Sequence, residues 1–262
     1  MTTTENHFKR RLLAREQQMG LFATLNCASL IELLAGWGFD WVMIDTEHSP
    51  TEMADVISQL RVLDNSGVGA IVRPAWSDMV LIKRLLDAGA RNLLIPSVDT
   101  AEAAAAAVSY TRYAPEGVRG VSGSSRAADY GQNTAYLKTA AADICILVQI
   151  ETTTGLKNLE KIAAVPGVDG IFIGPADLAA SLGHLGETQH PEVQAAIEDA
   201  FRRLRAINKP AGYLTLNQRE AKSRLTQGIH VVGVATDTSI VNSGAAQIVD
   251  GLGGGVAEEA AS

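Results

Sequence analysis

The side chains able to do chemistry in this sequence stand directly after apolar, β-rich runs. WVMID (41–45) leads into TEHSP, placing Asp45, Glu47 and His48 at the end of one strand. AIVRP (70–74) delivers Arg73. ICILVQIE (144–151) delivers Gln149 and Glu151, two residues apart and therefore on one face of a strand. GIFIG (170–174) runs into PADL, with Asp177 just beyond. The set holds one base, one cation and several carboxylates.

Each type suggests a task. Glu151 and Asp177 are candidate metal ligands, because two carboxylates on neighbouring strand ends suit a hard divalent cation such as Mg2+ or Mn2+. Asp177 could equally cap a helix starting near Leu178. His48 is a candidate general base with Asp45, three residues earlier, as its orienting partner; a loop histidine bonded to backbone is the plain alternative. Arg73, in an otherwise apolar strand, needs an anionic partner. A substrate carboxylate or enolate fits, and so does an internal pair with Asp45 or Glu47. His184 and His190 lie in a Gly-rich loop and are expected to have no ligand pairing.

Absences narrow the chemistry. Every lysine falls on an expected helix or strand entrance, which disfavours an imine-forming mechanism that needs a lysine inside a barrel. No G-x-S-x-G elbow and no G-x-G-x-x-G after the first strand occur.

The elements that position these groups follow from periodicity. Apolar runs at 20–25, 41–45, 70–74, 92–96, 144–151, 170–174, 211–215 and 231–235 alternate with segments of three- and four-residue apolar spacing. Eight strand–helix units fit a closed (β/α)8 TIM barrel, an α/β fold whose active site forms at the strands' C-terminal ends. One domain over residues 1–252 accounts for the length, with an N-terminal helix and a flexible tail over 253–262. The long gap between the fourth and fifth strands holds a Gly/Ser/Arg-rich functional loop (114–132) and a short helix at 134–142.

Composition sets the outer limits. The net charge of −7, with no Lys/Arg cluster, argues against nucleic acid or an anionic membrane as partner. The N-terminus has no apolar signal core and no run is long enough to span a membrane, so a cytoplasmic protein is expected. Cys27 and Cys145, both within apolar runs, read as core thiols in a reducing compartment.

At these residues the chain resembles the HpcH/HpaI aldolases, metal-dependent pyruvate aldolases. The matching stretches include GFDWVMIDTEHSP (38–50), VRPAW (72–76), RYAPEGVRGVSGSSRAADYG (112–131), VQIET (148–152) and VDGIFIGPADLAASLG (168–183). The resemblance implies Glu151 and Asp177 as ligands of Mg2+, Mn2+ or Co2+, and His48 with Asp45 as an acid–base dyad working through water. It implies Arg73 as the contact to a 2-oxo acid and its enolate, with Gln149 beside it. It further implies a pyruvyl-carboxylate surface at Gly174, Pro175, Ala176 and Asp177, and a hexamer in which Asp87 reaches a neighbouring subunit's site. Phe22, where many relatives carry Trp, and Tyr130 depart from the family near the aldehyde half. The expected reaction is reversible cleavage of a 4-hydroxy-2-oxo acid to pyruvate and an aldehyde. Alternatives are a related lyase or decarboxylase acting on an acyl-thioester or oxaloacetate, and a non-catalytic barrel that binds 2-oxo acids.

Overall fold

Strands whose residues are apolar on both faces can be satisfied only by a core on each side, and a closed parallel barrel supplies both. The computed structural model, which describes residues 5–253, forms that barrel. Its strands are β1 (Gln18–Ala23), β2 (Trp41–Asp45), β3 (Gly69–Arg73), β4 (Asn92–Ile95), β5 (Cys145–Ile150), β6 (Gly170–Ile173), β7 (Ala211–Leu214) and β8 (Val231–Thr236). They pair in parallel and in sequence order, and β8 closes onto β1. Residues 1–4 and 254–262 lie outside the described residues, so most of the expected 253–262 tail is not part of this description.

Helices cover the outside. α1 (His7–Leu13) precedes the barrel, and α2 (Ala28–Ala35), α3 (Met53–Leu63), α4 (Met79–Asp87) and α5 (Ala101–Thr111) follow β1 to β4. The expected excursion after α5 contains a 3-10 segment (Arg126–Gly131) and α6 (Tyr136–Asp143). Two short helices, α7 (Thr153–Lys157) and α8 (Leu159–Ala163), follow β5. After β6 come α9 (Pro175–Ser181) and the long α10 (Pro191–Ala206). α11 (Gln218–Thr226) and α12 (Asp237–Gly251) complete the ring. No described helix is long and apolar enough to cross a membrane.

The two-residue strand period separates two cores. Outward residues such as Val42, Ile44, Val148 and Ile171 pack under the helices. Inward residues Phe22, Trp41, Met43, Ile71, Leu147 and Phe172 fill the barrel, and Phe8 and Leu12 of α1 pack into the same cluster. Gly20 is required here, since a Cβ would fall 2.1 Å from the Trp41 ring. The same parity, carried one step further, gives Trp41–Met43–Asp45, Ile71–Arg73, Leu147–Gln149–Glu151 and Phe172–Gly174. The polar groups are the top layer of an apolar plug. The lysine expectation also holds: none lies in a strand, and each is on a helix except Lys209, just before β7.

Candidate active site

The centre of the site is a buried ion pair. Asp45 and Arg73 are direct register partners on β2 and β3. Arg73 Nε and Nη2 donate to Asp45 Oδ1 and Oδ2 at 2.9 and 2.7 Å, a bidentate fork in which the two residues are only 6% and 1% exposed. Nη1 projects away from the fork, 3.0 Å from Glu47 Oε2 and 3.5 Å from Gln149 Oε1. The guanidinium also lies over the Phe22 ring, 5.6 Å from its centroid, so the first-strand aromatic forms a floor. Burial pulls the Arg73 pKa down, but hydrogen bonding and charge from Asp45, then Glu47 and Glu151, outweigh it and hold it above its ordinary value.

Asp45 therefore does not hold His48. Among the described residues no hydrogen bond joins them, because both Asp45 oxygens serve Arg73 and Oδ1 also accepts from the Glu47 backbone N–H. The internal-pair alternative for Arg73 is what the structure shows, with Asp45 and Glu47 together. The His48 side chain is 62% exposed, and its recorded partner is Glu47, with Nε2 3.7 Å from Oε2. Burial pushes the Glu47 carboxyl above its ordinary value, against the opposing pull of Arg73 and His48. Glu47 thus links the buried arginine to the exposed imidazole. The sequence carries the signal: Glu47 has the same parity as Asp45.

Glu151 sits one step beyond β5 and is buried. Its Oε1 accepts from both the backbone N–H and the hydroxyl of Ser97, at 2.8 and 3.1 Å, and Oε2 accepts from Gln149 Nε2. Ser97, which sequence reasoning missed, has a left-handed backbone (φ 54°) that turns both donors toward Glu151. The only hint in the sequence is a small polar residue directly after the fourth strand run.

Gly174 closes the opposite wall. A Cβ there would lie 2.7 Å from Glu151 Oε2 and 2.8 Å from Gln149 Nε2, so the backbone approaches this carboxylate as only glycine can. Pro175 starts α9 with its φ already helical and no N–H to lose. Asp177 lies in the first turn of α9, is exposed, and makes no hydrogen bond or ion pair among the described residues. It is not the N-cap, which is Gly174. A buried, oriented carboxylate and a free one from adjacent strand ends are a donor set that fits a hard divalent cation.

Asp87 is not brought to this cluster. It ends α4, accepts from Arg119 Nη2 at 2.8 Å, and lines a groove of about 410 Å3 with Arg84, Arg126 and Tyr130. None of Asp45, Arg73, Gln149 or Glu151 lines that groove. Two further expectations are corrected. Cys27 is exposed at the start of α2, because its apolar run ends before it; only Cys145 is buried. His184 and His190 do pair: their rings stack with centroids 3.5 Å apart, and His184 Nε2 is 2.8 Å from Glu192 Oε2.

Comparison with known proteins agrees with this architecture. A family model described as HpcH/HpaI aldolase/citrate lyase matches residues 18–243. A pyruvate aldolase of Rhizobium etli is 49% identical, with 91% of this chain and 94% of the relative covered. A 4-hydroxy-2-oxo-heptane-1,7-dioate aldolase of Klebsiella pneumoniae is 48% identical over 92% of this chain and 91% of its own. The crystal structure of a family member from Burkholderia cenocepacia superposes with a TM-score of 0.91 at 38% identity, covering 94% of this chain and 99% of that one. The strand-tip site thus stands on a chain that belongs to the HpcH/HpaI aldolase/citrate lyase family.

Proposed function

We propose that this chain is a carbon–carbon lyase that reversibly cleaves a 4-hydroxy-2-oxo acid to pyruvate and an aldehyde. The observation that carries the reading is the top layer of the barrel. Arg73, held by Asp45, faces Glu47 and Gln149, while Ser97 and Gln149 fix Glu151. The aldolase names of relatives that cover nearly the whole chain support it.

Glu151 and Asp177 are the residues that would hold a divalent cation, Mg2+, Mn2+ or Co2+. Such an ion would supply Lewis-acid polarisation of the 2-oxo group. The chain's own groups do the rest. The first-turn N–H groups of Ala176 and Asp177 have no intrahelical acceptor and can receive the pyruvyl carboxylate; Gly174 lets it approach, and Pro175 contributes shape rather than a donor. His48 takes the proton from the C4 hydroxyl, with the Glu47 carboxylate beside its ring. The C3–C4 bond then breaks, and its electron pair passes to the pyruvyl half. Arg73, kept cationic in a buried setting, faces the oxygen on which that charge develops.

A homo-oligomer, a hexamer by resemblance, is part of the same reading. Exposed Trp37 and Trp76, and Val241, Ile248 and Val249 on the largely exposed α12, support a covered surface. Asp87 could serve a site only in a second copy. A cytoplasmic setting is supported by the pair of free thiols.

The test is a metal-supplemented screen of sugar-acid and dicarboxylic hydroxy-oxo acids coupled to pyruvate detection. Pyruvate release should require added cation and be lost in Glu151→Gln and Asp177→Asn. Full activity after exhaustive chelation would sink the reading.

A further inference from the structure

The connection between α9 and α10 brings together three metal-ligating side chains that the aldolase site does not use. His184 Nε2 lies 2.8 Å from Glu192 Oε2, and the His190 ring stacks on His184 at an interplanar angle of 17°. One ligand atom from each of His184, His190 and Glu192 falls within 4.8 Å of the other two. Among the described residues this is the one group of three or more His, Cys, Asp or Glu side chains so closely gathered. We infer that these three residues form a second cation site, selective for a borderline divalent ion such as Zn2+ and separate from the Glu151–Asp177 pair.

Ligand chemistry sets the selectivity. Two imidazoles and one carboxylate suit zinc, copper or nickel, whereas Mg2+ prefers oxygen ligands alone. Three protein ligands leave a fourth, tetrahedral position for water. The stacked rings do not yet aim two lone pairs at one point, because each lone pair lies in its own ring plane. Ligand atoms around tetrahedral zinc stand about 3.3 Å apart, as bond lengths near 2.0–2.1 Å require. Reaching that separation from within 4.8 Å calls for rotation of the side chains. Room for it exists: the Glu192 side chain is 61% exposed, and His184 and His190 are partly exposed.

Binding has one identifiable cost. His190 is the N-cap of α10, and its Nδ1 accepts from the Glu192 N–H. Ligation through Nδ1 takes that lone pair directly, and ligation through Nε2 requires the proton to move to Nδ1. Either way the cap bond is lost, but at 3.3 Å it is a weak one. The location gives the site its consequence. α10 begins on the face where the strands end, and the 182–190 segment follows α9, which carries Asp177. A cation held there would brace α9 against α10.

The experiment uses the untagged full chain carrying Glu151→Gln and Asp177→Asn, titrated with zinc by calorimetry. One equivalent of zinc should bind, and millimolar Mg2+ should not compete. Adding His184→Gln or Glu192→Gln, each of which leaves the His190 cap in place, should weaken binding about tenfold or more. With Cu2+ as probe, the electron paramagnetic resonance spectrum should show two coupled nitrogens, falling to one in His184→Gln. The same titration of the unsubstituted chain in excess Mg2+ repeats the measurement without touching the acid pair. Absence of zinc binding tighter than millimolar in both forms, or binding unchanged by both His184→Gln and Glu192→Gln, would overturn the inference. Neither outcome depends on turnover, so it stands or falls apart from the aldolase reading.

Discussion

Asp45 and Arg73 grip each other through two hydrogen bonds, Nε to Oδ1 at 2.9 Å and Nη2 to Oδ2 at 2.7 Å, across adjacent strands in direct register. The fork uses one edge of the guanidinium and leaves Nη1 turned toward Glu47 and Gln149. An arginine in an apolar barrel would otherwise carry an uncompensated charge with no fixed geometry. Asp45 supplies the opposing charge and fixes that geometry, and we propose that its task is to aim Arg73.

Asp45→Asn should accordingly damage binding of the 2-oxo acid as well as turnover. The substitution keeps the shape but removes the charge that the fork sets against the guanidinium, leaving Glu47, 3.0 Å from Nη1, as its nearest carboxylate. Loss of stability should be about 2 kcal/mol, below the usual cost of breaking a buried pair because Glu47 remains. Pyruvate-release kinetics and urea unfolding measure the two effects. An unchanged KM alongside a reduced kcat would contradict the aiming role.

Ser97 offers a sharper separation of structure from function. Ser97→Ala removes the hydroxyl bond to Glu151 while keeping the left-handed backbone, whereas Ser97→Gly removes it and relieves the backbone. Both variants should bind Mn2+ about tenfold more weakly, since outer partners that orient a ligand are worth about that much. The glycine variant should melt above the alanine one. Mn2+ titration by electron paramagnetic resonance and thermal unfolding read these independently, and parental affinity in both variants would exclude a positioning role.

At Gly174 a single methyl should disrupt the site without unfolding the barrel. The added Cβ would fall 2.7 Å from Glu151 Oε2 and 2.8 Å from Gln149 Nε2, so these side-chain ends must move. Displacing a reacting group by about 1 Å typically costs about a hundredfold in rate. Gly174→Ala should show that loss in kcat with a far-ultraviolet circular dichroism spectrum like the parent's. A variant of parental activity would place Glu151 outside the reaction.

Much of this architecture was legible because strand parity is local. Asp45, Arg73, Gln149 and Glu151 each follow an inward apolar residue by two or four positions, and that alone stacks them on the barrel plug. The choice among partners was not legible. It depends on register between β2 and β3, which sets Asp45 opposite Arg73 and leaves His48 to Glu47. Ser97 escaped notice because its contact crosses from the end of β4 to the end of β5 through one left-handed residue. His184 and His190, six apart, meet because the chain between α9 and α10 folds back on itself, which spacing in a Gly-rich stretch does not reveal.

The two cysteines should differ in reactivity as their surroundings differ. Cys27 is exposed, while Cys145 lies inside the barrel, where burial and then the Asp169 charge push its thiol well above the ordinary value. Only a thiolate attacks a disulfide reagent. An aromatic disulfide reagent at pH 8 should therefore titrate one thiol in the native protein and two in denaturant. In Cys27→Ser the native count should fall to zero. Rapid native reaction of both thiols would mean that the barrel interior opens.

Acid sensitivity should trace partly to His230, at the entrance to β8. Its Nδ1 accepts from the Ala211 N–H at 3.2 Å, which only an imidazole unprotonated at that nitrogen can do. Burial, with a smaller contribution from the Arg15 charge, lowers its pKa below the ordinary 6.5. The folded state thus takes up this proton less readily than the unfolded chain. The stability tied to His230 is complete above about pH 6.5 and is lost as pH falls from there through the folded-state pKa. His230→Gln removes that linkage, so its melting temperature should decline less than the parent's between pH 7 and pH 5. Every other histidine is the same in the two proteins, so the comparison isolates this one position. Parallel declines would show that the proton enters elsewhere.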